Sequence, residues 1–293
     1  MTAEFWVTQT FNGLSYGALL FLLASGLSLI FGVMRVVNLA HGSYFMLGGY
    51  VGLSVVWRTG SYTLALLAGA LALVAGALAL AVVGIAMERV FLRRLPGQTL
   101  GQVLMTIGFA LIFQDVALLI WGGDPYSIRP PSLLAGVITA GPGRFPIYRI
   151  FIVVVAVVVG AALWLALDRT RVGAMIRAAV DDPEMAQGVG IRVPRVSLGV
   201  FALGAALAAF GGVVGAGFLG VYPGLDFEIL PYAFVVVIVG GLGSLPGAMV
   251  GSLLVGLLDN FGKALFPELS YFTLFAPMAL ILALKPTGLF GRV

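Results

Sequence analysis

Long uncharged apolar runs recur along the chain and limit what it can fold into. Phe5–Met34, Tyr62–Met87, Val196–Leu225 and Ile229–Leu258 contain no charged residue. A helix needs about 20 apolar residues to cross the hydrocarbon core of a bilayer. Only 10% of the 293 residues are charged, whereas soluble domains carry about 25%. The folded chain must therefore present most of its surface to lipid.

The apolar runs predict an all-α fold, a polytopic bundle of membrane-spanning helices. Four further runs complete the pattern: Val36–Trp57, Leu95–Ile120, Ile150–Leu167 and Leu269–Leu284. Residues 240–247 break one run, and the break is formed by Gly240, Gly241, Gly243, Pro246 and Gly247. Pro246 lacks a backbone donor and the glycines add backbone freedom, which predicts two shorter helices near 231–240 and 247–260. The chain then has eight or nine spans, depending on how this break is counted.

The basic residues predict the orientation of the spans. When 168–195 is placed in the cytoplasm, the outside holds Arg58, Arg129, Arg144, Arg149 and Lys263. The other eleven of the sixteen Lys and Arg residues then lie inside, as the positive-inside rule requires. This places the N-terminus outside and the C-terminus in the cytoplasm. We expect one transmembrane domain over 1–293, with 168–195 as its cytoplasmic loop.

The loop 168–195 contains a predicted short helix. An aspartate precedes Pro183, which suits a first helical position, and Glu184 suits the positive end of the helix dipole. Gly188 or Gly190 can end the helix. The pattern indicates either a docking element for a cytoplasmic partner or an ordinary basic loop. The candidate docking residues are Arg177, Asp181, Asp182, Pro183, Glu184, Met185, Ala186, Gly188 and Gly190.

Several polar residues lie within or beside the apolar runs. Ionisable groups at membrane depth are costly and usually face the bundle interior or a cavity. Asp115 is therefore a pathway residue or counter-ion, a structural group bonded to a neighbouring helix, or a group shallow enough to meet water. His41 is either a hydrogen-bonded packing residue or a gate or pH-sensitive site. The candidate translocation-path residues are Asn12, Tyr16, Asn38, His41, Tyr44, Gln114 and Asp115.

The sequence lacks the residues of most enzymes. It has no cysteine and one histidine, so we expect neither a metal site nor thiol chemistry, and we predict no catalytic residue. Its two lysines, Lys263 and Lys285, do not lie in a phosphate-binding loop of the G-x-x-x-x-G-K-[ST] type. We expect no cofactor on this chain and no nucleic-acid partner. Any ATP must be bound by another subunit.

Five segments together resemble one family of permeases. They are Asn12–Ala18, Val37–Gly42, Arg177–Ile191, Val239–Ala248 and Lys285–Leu289. They are similar, in order and over nearly the whole chain, to permease subunits of branched-chain amino-acid ABC importers of the LivH type. The resemblance implies a second homologous permease, two cytoplasmic ATP-binding subunits and an extracytoplasmic solute-binding protein. It also implies that the short helix in 168–195 couples the permease to the ATPase.

The function implied is import of branched-chain or other hydrophobic amino acids across the inner membrane. A permease of the same architecture for urea, short amides or simple sugars is an alternative. A self-sufficient secondary transporter is more remote, because that class needs internal repeats and a polar ion site at the midplane. The sequence shows no convincing repeat, and Asp115 alone supplies too few ligands for an ion site.

Overall fold

The computed structural model describes residues 2–60, 87–91, 94–95, 98–130, 134–141 and 143–291. The predicted span Tyr62–Met87 therefore lies almost entirely outside the described residues. Within them, the all-α prediction is confirmed, and the chain is a membrane bundle. The helices are α1 Ala3–Met34, α2 His41–Thr59, α3 Thr99–Trp121, α4 Ile147–Arg169, α5 Arg171–Asp181, α6 Pro183–Gly188, α7 Val193–Leu219, α8 Leu225–Gly240, α9 Leu245–Leu265 and α10 Ser270–Leu284.

Helix α1 runs through the centre of the bundle. It packs against α9, α7, α4 and α8, and its residues 17–30 are all buried. Small residues allow this close packing. A Cβ atom on Gly17 would lie 2.6 Å from the carbonyl oxygen of Ser252, and one on Gly26 would lie 2.5 Å from that of Gly204. Glycines at these positions therefore serve packing within the chain.

The connection between α1 and α2 enters the bundle without helical structure. Arg35 ends α1 with φ 53°, and the chain becomes helical again only at His41. The span predicted to begin at Val36 is thus helical over a shorter range. His41 contacts Leu23, which lies about 16 Å along the axis from the end of α1. The segment 36–40 therefore returns into the protein interior, where irregular backbone is shielded from lipid.

The predicted break near 240–247 is confirmed. Helix α8 ends at Gly240 and α9 begins at Leu245. Gly241 and Gly243 have φ values of 106° and 78°, which favour glycine. Ser244 caps α9 by accepting a hydrogen bond from the Gly247 amide at 3.1 Å, and Pro246 lies in the first turn. Gly240 and Gly247 approach so closely that a Cβ atom on either would overlap the other's backbone.

The C-terminal tail closes the break. The amides of Leu289 and Phe290 donate to the carbonyls of Val239 and Gly240, each at 2.9 Å. These carbonyls belong to the last turn of α8, where helical partners are lacking. Two of the segments that carry the family resemblance, 239–248 and 285–289, are therefore in direct contact.

The connection between α3 and α4 carries a short hairpin. Its strands, β1 Val137–Ala140 and β2 Gly143–Pro146, pair antiparallel. Tyr126 and Val221 exchange two backbone hydrogen bonds of 2.8 Å, which tie the loop to the connection between α7 and α8. Five of the described helices are long and apolar enough to cross a membrane: α1, α3, α4, α7 and α9. The count of eight or nine spans stays a prediction.

Candidate functional site

Residues 168–195, called the coupling segment after their predicted role, form two short helices between α4 and α7. The predicted capped helix is confirmed as α6: Asp182 accepts hydrogen bonds from the amides of Glu184 and Met185, each at 3.0 Å, and Pro183 is in the first turn. Ala186 is buried, whereas the side chains of Met185 and Val189 are 65% and 71% exposed. The helix thus presents apolar and acidic side chains together.

Helix α5 holds the coupling segment against the bundle. Its Gly173, Ile176 and Ala179 are buried. Arg177 donates to the carbonyl oxygen of Leu167 and lies 3.6 Å from the carboxylate of Asp168, which ties α5 to the end of α4. Behind α6 lies a cleft of about 470 Å³, lined by Gln187, Gly190, Ile191, Arg192, Pro194, Arg195 and Leu198.

The interior cluster is a second group of polar residues, formed by Asn38, His41, Ser43, Tyr44, Thr106 and Asp226. All six side chains are buried. Asn38 Oδ1 accepts from the Ala40 amide at 3.1 Å, and Thr106 Oγ1 accepts from the Leu39 amide at 3.2 Å. Ser43 donates to Asp226 Oδ2 at 2.8 Å. Asn38, His41 and Tyr44 are therefore all buried at the start of α2, and their role in a translocation path stays a prediction.

A hydrogen bond joins His41 to α1. Its Nε2 lies 3.0 Å from the carbonyl oxygen of Leu23. A carbonyl can only accept, so Nε2 carries the proton. Within the described part of the chain, His41 Nδ1, Tyr44 Oη and Asp226 Oδ1 have no hydrogen-bond partner. The hydrogen bond to Leu23 fits the role of a packing residue, and the gating role stays a prediction.

The outer cluster surrounds Tyr16 at the end of the bundle opposite the coupling segment. It consists of Tyr16, Arg149, Phe218, Tyr222, Glu228, Tyr232, Asp259 and Lys263. Helix α4 begins near this cluster and ends at the coupling segment, and α7 runs back in the other direction. The centroid of the Tyr16 ring lies 5.8 Å from that of Tyr232 and 6.4 Å from that of Phe218.

Asp259 and Lys263 form an ion pair within the outer cluster. Lys263 Nζ donates to Asp259 Oδ2 at 2.8 Å and to Tyr232 Oη at 3.2 Å. The side chain of Lys263 is 50% exposed, whereas that of Asp259 is 3% exposed. Asp259 Oδ1 has no hydrogen-bond partner among the described residues. The pair therefore joins a buried carboxylate to a cation that reaches the surface.

Further charged groups stand around this pair. Arg149 lies over the ring of Phe218, with Cζ 4.8 Å from the ring centroid, and donates to Asn12 Oδ1. Tyr222, in the connection between α7 and α8, donates to Glu228 Oε2 at 2.6 Å. Burial, together with the neighbouring Glu228, raises the pKa of Tyr222 to about 12. Its hydroxyl is therefore protonated at neutral pH and acts as the donor.

Gln114 and Asp115 occupy different faces of α3. Gln114 is partly buried, and its Nε2 would lie 3.7 Å from a Cβ atom on Gly224. Asp115 is exposed and forms no hydrogen bond with the interior or outer cluster as far as the structure describes them. Five of the seven predicted path residues thus fall into two groups, Asn12 with Tyr16 and Asn38 with His41 and Tyr44, whereas Gln114 and Asp115 belong to neither.

Five charged residues of the two clusters were not predicted as path residues: Arg149, Asp226, Glu228, Asp259 and Lys263. All five lie between the uncharged runs, a position that is typical of loop charges. The spacing of Asp259 and Lys263 was an available signal, because residues four apart share one helix face. For Asp226 the signal was weaker: an acid between two long apolar runs.

Comparison with known proteins assigns the chain to a family. The profile of the family described as "Branched-chain amino acid transport system / permease component" matches residues 9–284. The chain is 31% identical over 300 residues to the high-affinity branched-chain amino acid transport system permease protein BraD of Pseudomonas aeruginosa. It is 30% identical over 300 residues to the corresponding protein LivH of Escherichia coli. Each match covers 98% of this chain and 96% of the relative.

A sugar permease is similar over a shorter stretch. The fructose import permease protein FrcC of Rhizobium meliloti is 34% identical over 114 residues, which cover 36% of this chain and 32% of that protein. No solved structure is significantly similar to the chain. The matches that cover nearly the full length of both proteins lead to one conclusion: this chain belongs to the family of branched-chain amino acid transport system permease components.

Proposed function

We propose that the chain is the membrane-spanning subunit of an ABC importer that carries branched-chain or other hydrophobic amino acids into the cytoplasm. The observation that carries this proposal is the similarity to BraD and LivH from end to end, over 98% of the chain. The chain is a transport component of the inner membrane, and separate ATP-binding subunits supply the energy. Its single permease domain covers 1–293.

The coupling segment is the docking element for the ATP-binding subunits in this proposal. It places a capped helix with exposed Met185 and Val189 at one end of the bundle, and it is anchored to α4 through Arg177. Exposed apolar side chains on a short ordered helix are typical of a surface that a partner covers. This end faces the cytoplasm, with the N-terminus of the chain outside.

Reversing one charge on α6 tests the docking proposal. Glu184 is exposed and occupies the first turn, so Glu184→Arg should leave the membrane bundle folded while weakening assembly with the ATP-binding subunits. Co-purification of those subunits with the tagged variant measures assembly. Glu268→Arg, an equally exposed acid next to α10, is the matched control. Normal assembly and normal uptake in Glu184→Arg would remove α6 from the docking surface.

The partners are a second homologous permease, two ATP-binding subunits and an extracytoplasmic solute-binding protein. Gentle detergent extraction of the tagged chain, followed by mass spectrometry, tests this composition. Recovery of a related permease together with ATPases that contain phosphate loops supports the proposal. A chain that purifies alone and moves solute in liposomes without ATP contradicts it and favours a secondary transporter.

A same-architecture permease for simple sugars is the second candidate, because FrcC shares 34% identity over part of the chain. Permeases for urea or short amides belong to the same alternative. Screening the recovered binding protein against leucine, isoleucine, valine, urea and fructose distinguishes them. Tight binding of an aliphatic amino acid supports the proposal, and a preference for fructose or urea contradicts it.

A further inference from the structure

Resting on the proposed function, we infer that the outer cluster is a binding site for the zwitterionic head group of an α-amino acid with an apolar side chain. The site lies on the permease itself, at the end away from the coupling segment. Lys263 takes the carboxylate of the solute, Asp259 takes its ammonium group, and the rings of Tyr16, Phe218 and Tyr232 take its side chain.

Within the described residues, the Asp259–Lys263 pair leaves one donor of Lys263 and one acceptor of Asp259 unused. An ammonium group has three N–H donors, and Lys263 uses two of them, on Asp259 Oδ2 and Tyr232 Oη. Asp259 Oδ1 is buried and has no hydrogen-bond partner among the described residues. An α-amino acid carries its carboxylate and its ammonium group on one carbon. These are the two charged groups that the unused donor of Lys263 and the unused acceptor of Asp259 require.

A purely structural role explains this pair poorly. Removing two charges from water is costly, and the cost is recovered only where further hydrogen bonds satisfy both groups. Asp259 is nearly fully buried, yet one of its oxygens is unused. Lys263 is half exposed, so the pair is reachable from the rim of the cluster. A buried acceptor beside a reachable donor is the arrangement of a ligand site.

The remaining residues of the cluster match the rest of an aliphatic amino acid. The rings of Tyr16, Phe218 and Tyr232 form an apolar wall beside the pair, with neighbouring centroids 5.8 and 6.4 Å apart. Arg149 and Glu228 add one charge of each sign around it, so the site as a whole attracts neither anions nor cations alone. Neutral sugars and urea would leave the ion pair without its charged partners, which disfavours them.

Binding of leucine analogues to the purified permease complex in nanodiscs, without the binding protein, tests the inference. Saturation-transfer difference NMR at pH 7 compares leucine with leucinamide, which lacks the carboxylate, and with 4-methylpentanoate, which lacks the ammonium group. We expect leucine to bind at least about tenfold more tightly than either analogue, the scale of one charge-assisted hydrogen bond. Equal binding of all three compounds would overturn the inference.

Two substitutions assign the roles of the ion pair. Lys263→Gln should weaken leucine binding about tenfold and abolish the preference for leucine over leucinamide. Asp259→Asn should abolish the preference over 4-methylpentanoate. A merely structural residue would change folded yield without changing these ratios. Arg144→Gln removes an exposed cation of the β hairpin and should leave both ratios unchanged. If Asp259→Asn does not fold, the analogue series on the unsubstituted complex still decides.

Uptake by the same complex in proteoliposomes, set beside the binding ratios from nanodiscs, separates this inference from the proposed function. If leucine uptake is driven by ATP but leucine, leucinamide and 4-methylpentanoate bind equally well, the zwitterion site is refuted and the proposed function stands. Uptake of fructose or urea without leucine uptake would refute both. Leucine uptake together with the expected selectivity ratios supports both.

Discussion

Individual buried polar atoms distinguish this chain from a bundle held together only by apolar contact. In the interior cluster, Ser43 donates to Asp226, and in the outer cluster Lys263 donates to Asp259. Each aspartate has a second oxygen that the described part of the chain leaves unpaired. Such groups are costly within a membrane protein and commonly mark solute pathways. Substitutions at these two aspartates are therefore the most informative tests of where the solute pathway lies.

Ser43→Ala removes the hydrogen bond to Asp226. Leaving a buried polar group without its partner costs about 1–3 kcal/mol, so the variant should unfold at a lower temperature than the unsubstituted complex in the same detergent. Ser15→Ala is the control: this serine is equally buried but bonds only the carbonyl of Phe11 in its own helix. Equal unfolding temperatures for the two variants would show that the Ser43–Asp226 bond contributes nothing to stability.

Gly42→Ala tests the close approach of α2 to α8. A Cβ atom at this position would lie 2.5 Å from the carbonyl oxygen of Asp226. Because that atom belongs to the backbone, we expect a loss of about 1–3 kcal/mol, the usual cost of overpacking, seen as reduced folded yield in size-exclusion chromatography. Gly108→Ala meets no atom within 4 Å and should fold normally. A Gly42→Ala protein as abundant as the control would contradict the described helix contact.

Whether the burial of a polar residue could be predicted from the sequence depended on its position relative to the apolar runs. Asn38, His41 and Tyr44 lie within or at the edge of a run, and their position in the interior could be predicted from the cost of polar groups in lipid. Asp226, Asp259 and Lys263 lie at run ends, where water is the default partner. The burial of the two aspartates depends on how α8 and α9 pack against α1 and α2, and periodicity alone does not contain that information.

At the scale of elements, local rules were more reliable. The cap of α6 followed from an aspartate before a proline, and the break before α9 followed from glycines around Pro246, because turn and capping chemistry is set by neighbouring residues. The start of α2 could not be predicted from local rules. Residues 36–40 are as apolar as a helix, but the positive φ of Arg35 and contacts with Leu23 and Thr106 redirect the chain.

The cap of α6 should control coupling more than folding. Asp182→Ala removes the acceptor for two amides, which typically costs about 1 kcal/mol of helix stability. We expect normal membrane insertion and lower leucine-stimulated ATPase activity of the assembled complex. Asp182→Asn preserves a capping side chain and should retain most of that activity. If Asp182→Asn loses as much activity as Asp182→Ala, the charge and not the cap is the relevant property.

The contact between the tail and the break should depend on Gly288. Its φ is 77°, and a Cβ atom there would lie 2.5 Å from the carbonyl oxygen of Ile238. Gly288→Ala should therefore lower the unfolding temperature. Gly190 has a similar φ of 90°, but a Cβ atom there meets no atom within 4 Å. Gly190→Ala therefore measures the cost of the positive φ alone. An equal shift in both variants would mean that the tail is not packed against α8.

At the scale of the whole molecule, the chain connects two ends of one bundle. Helices α4 and α7 extend from the coupling segment to the outer cluster, and α1 passes both clusters along its length. Movement imposed on α5 and α6 can therefore reach the polar groups through these rigid helices. In the proposed transport cycle, ATP-driven movement of the coupling segment changes the access of the two clusters to either side of the membrane.

The proposed import is tested by solute uptake into proteoliposomes that contain the chain with its second permease and ATP-binding subunits, supplied with the solute-binding protein. We expect radiolabelled leucine to accumulate only when ATP is present on the side of the coupling segment, and we expect no accumulation of fructose or urea. Leucine movement by the chain alone without ATP, or accumulation of fructose or urea in place of leucine, would contradict the proposal.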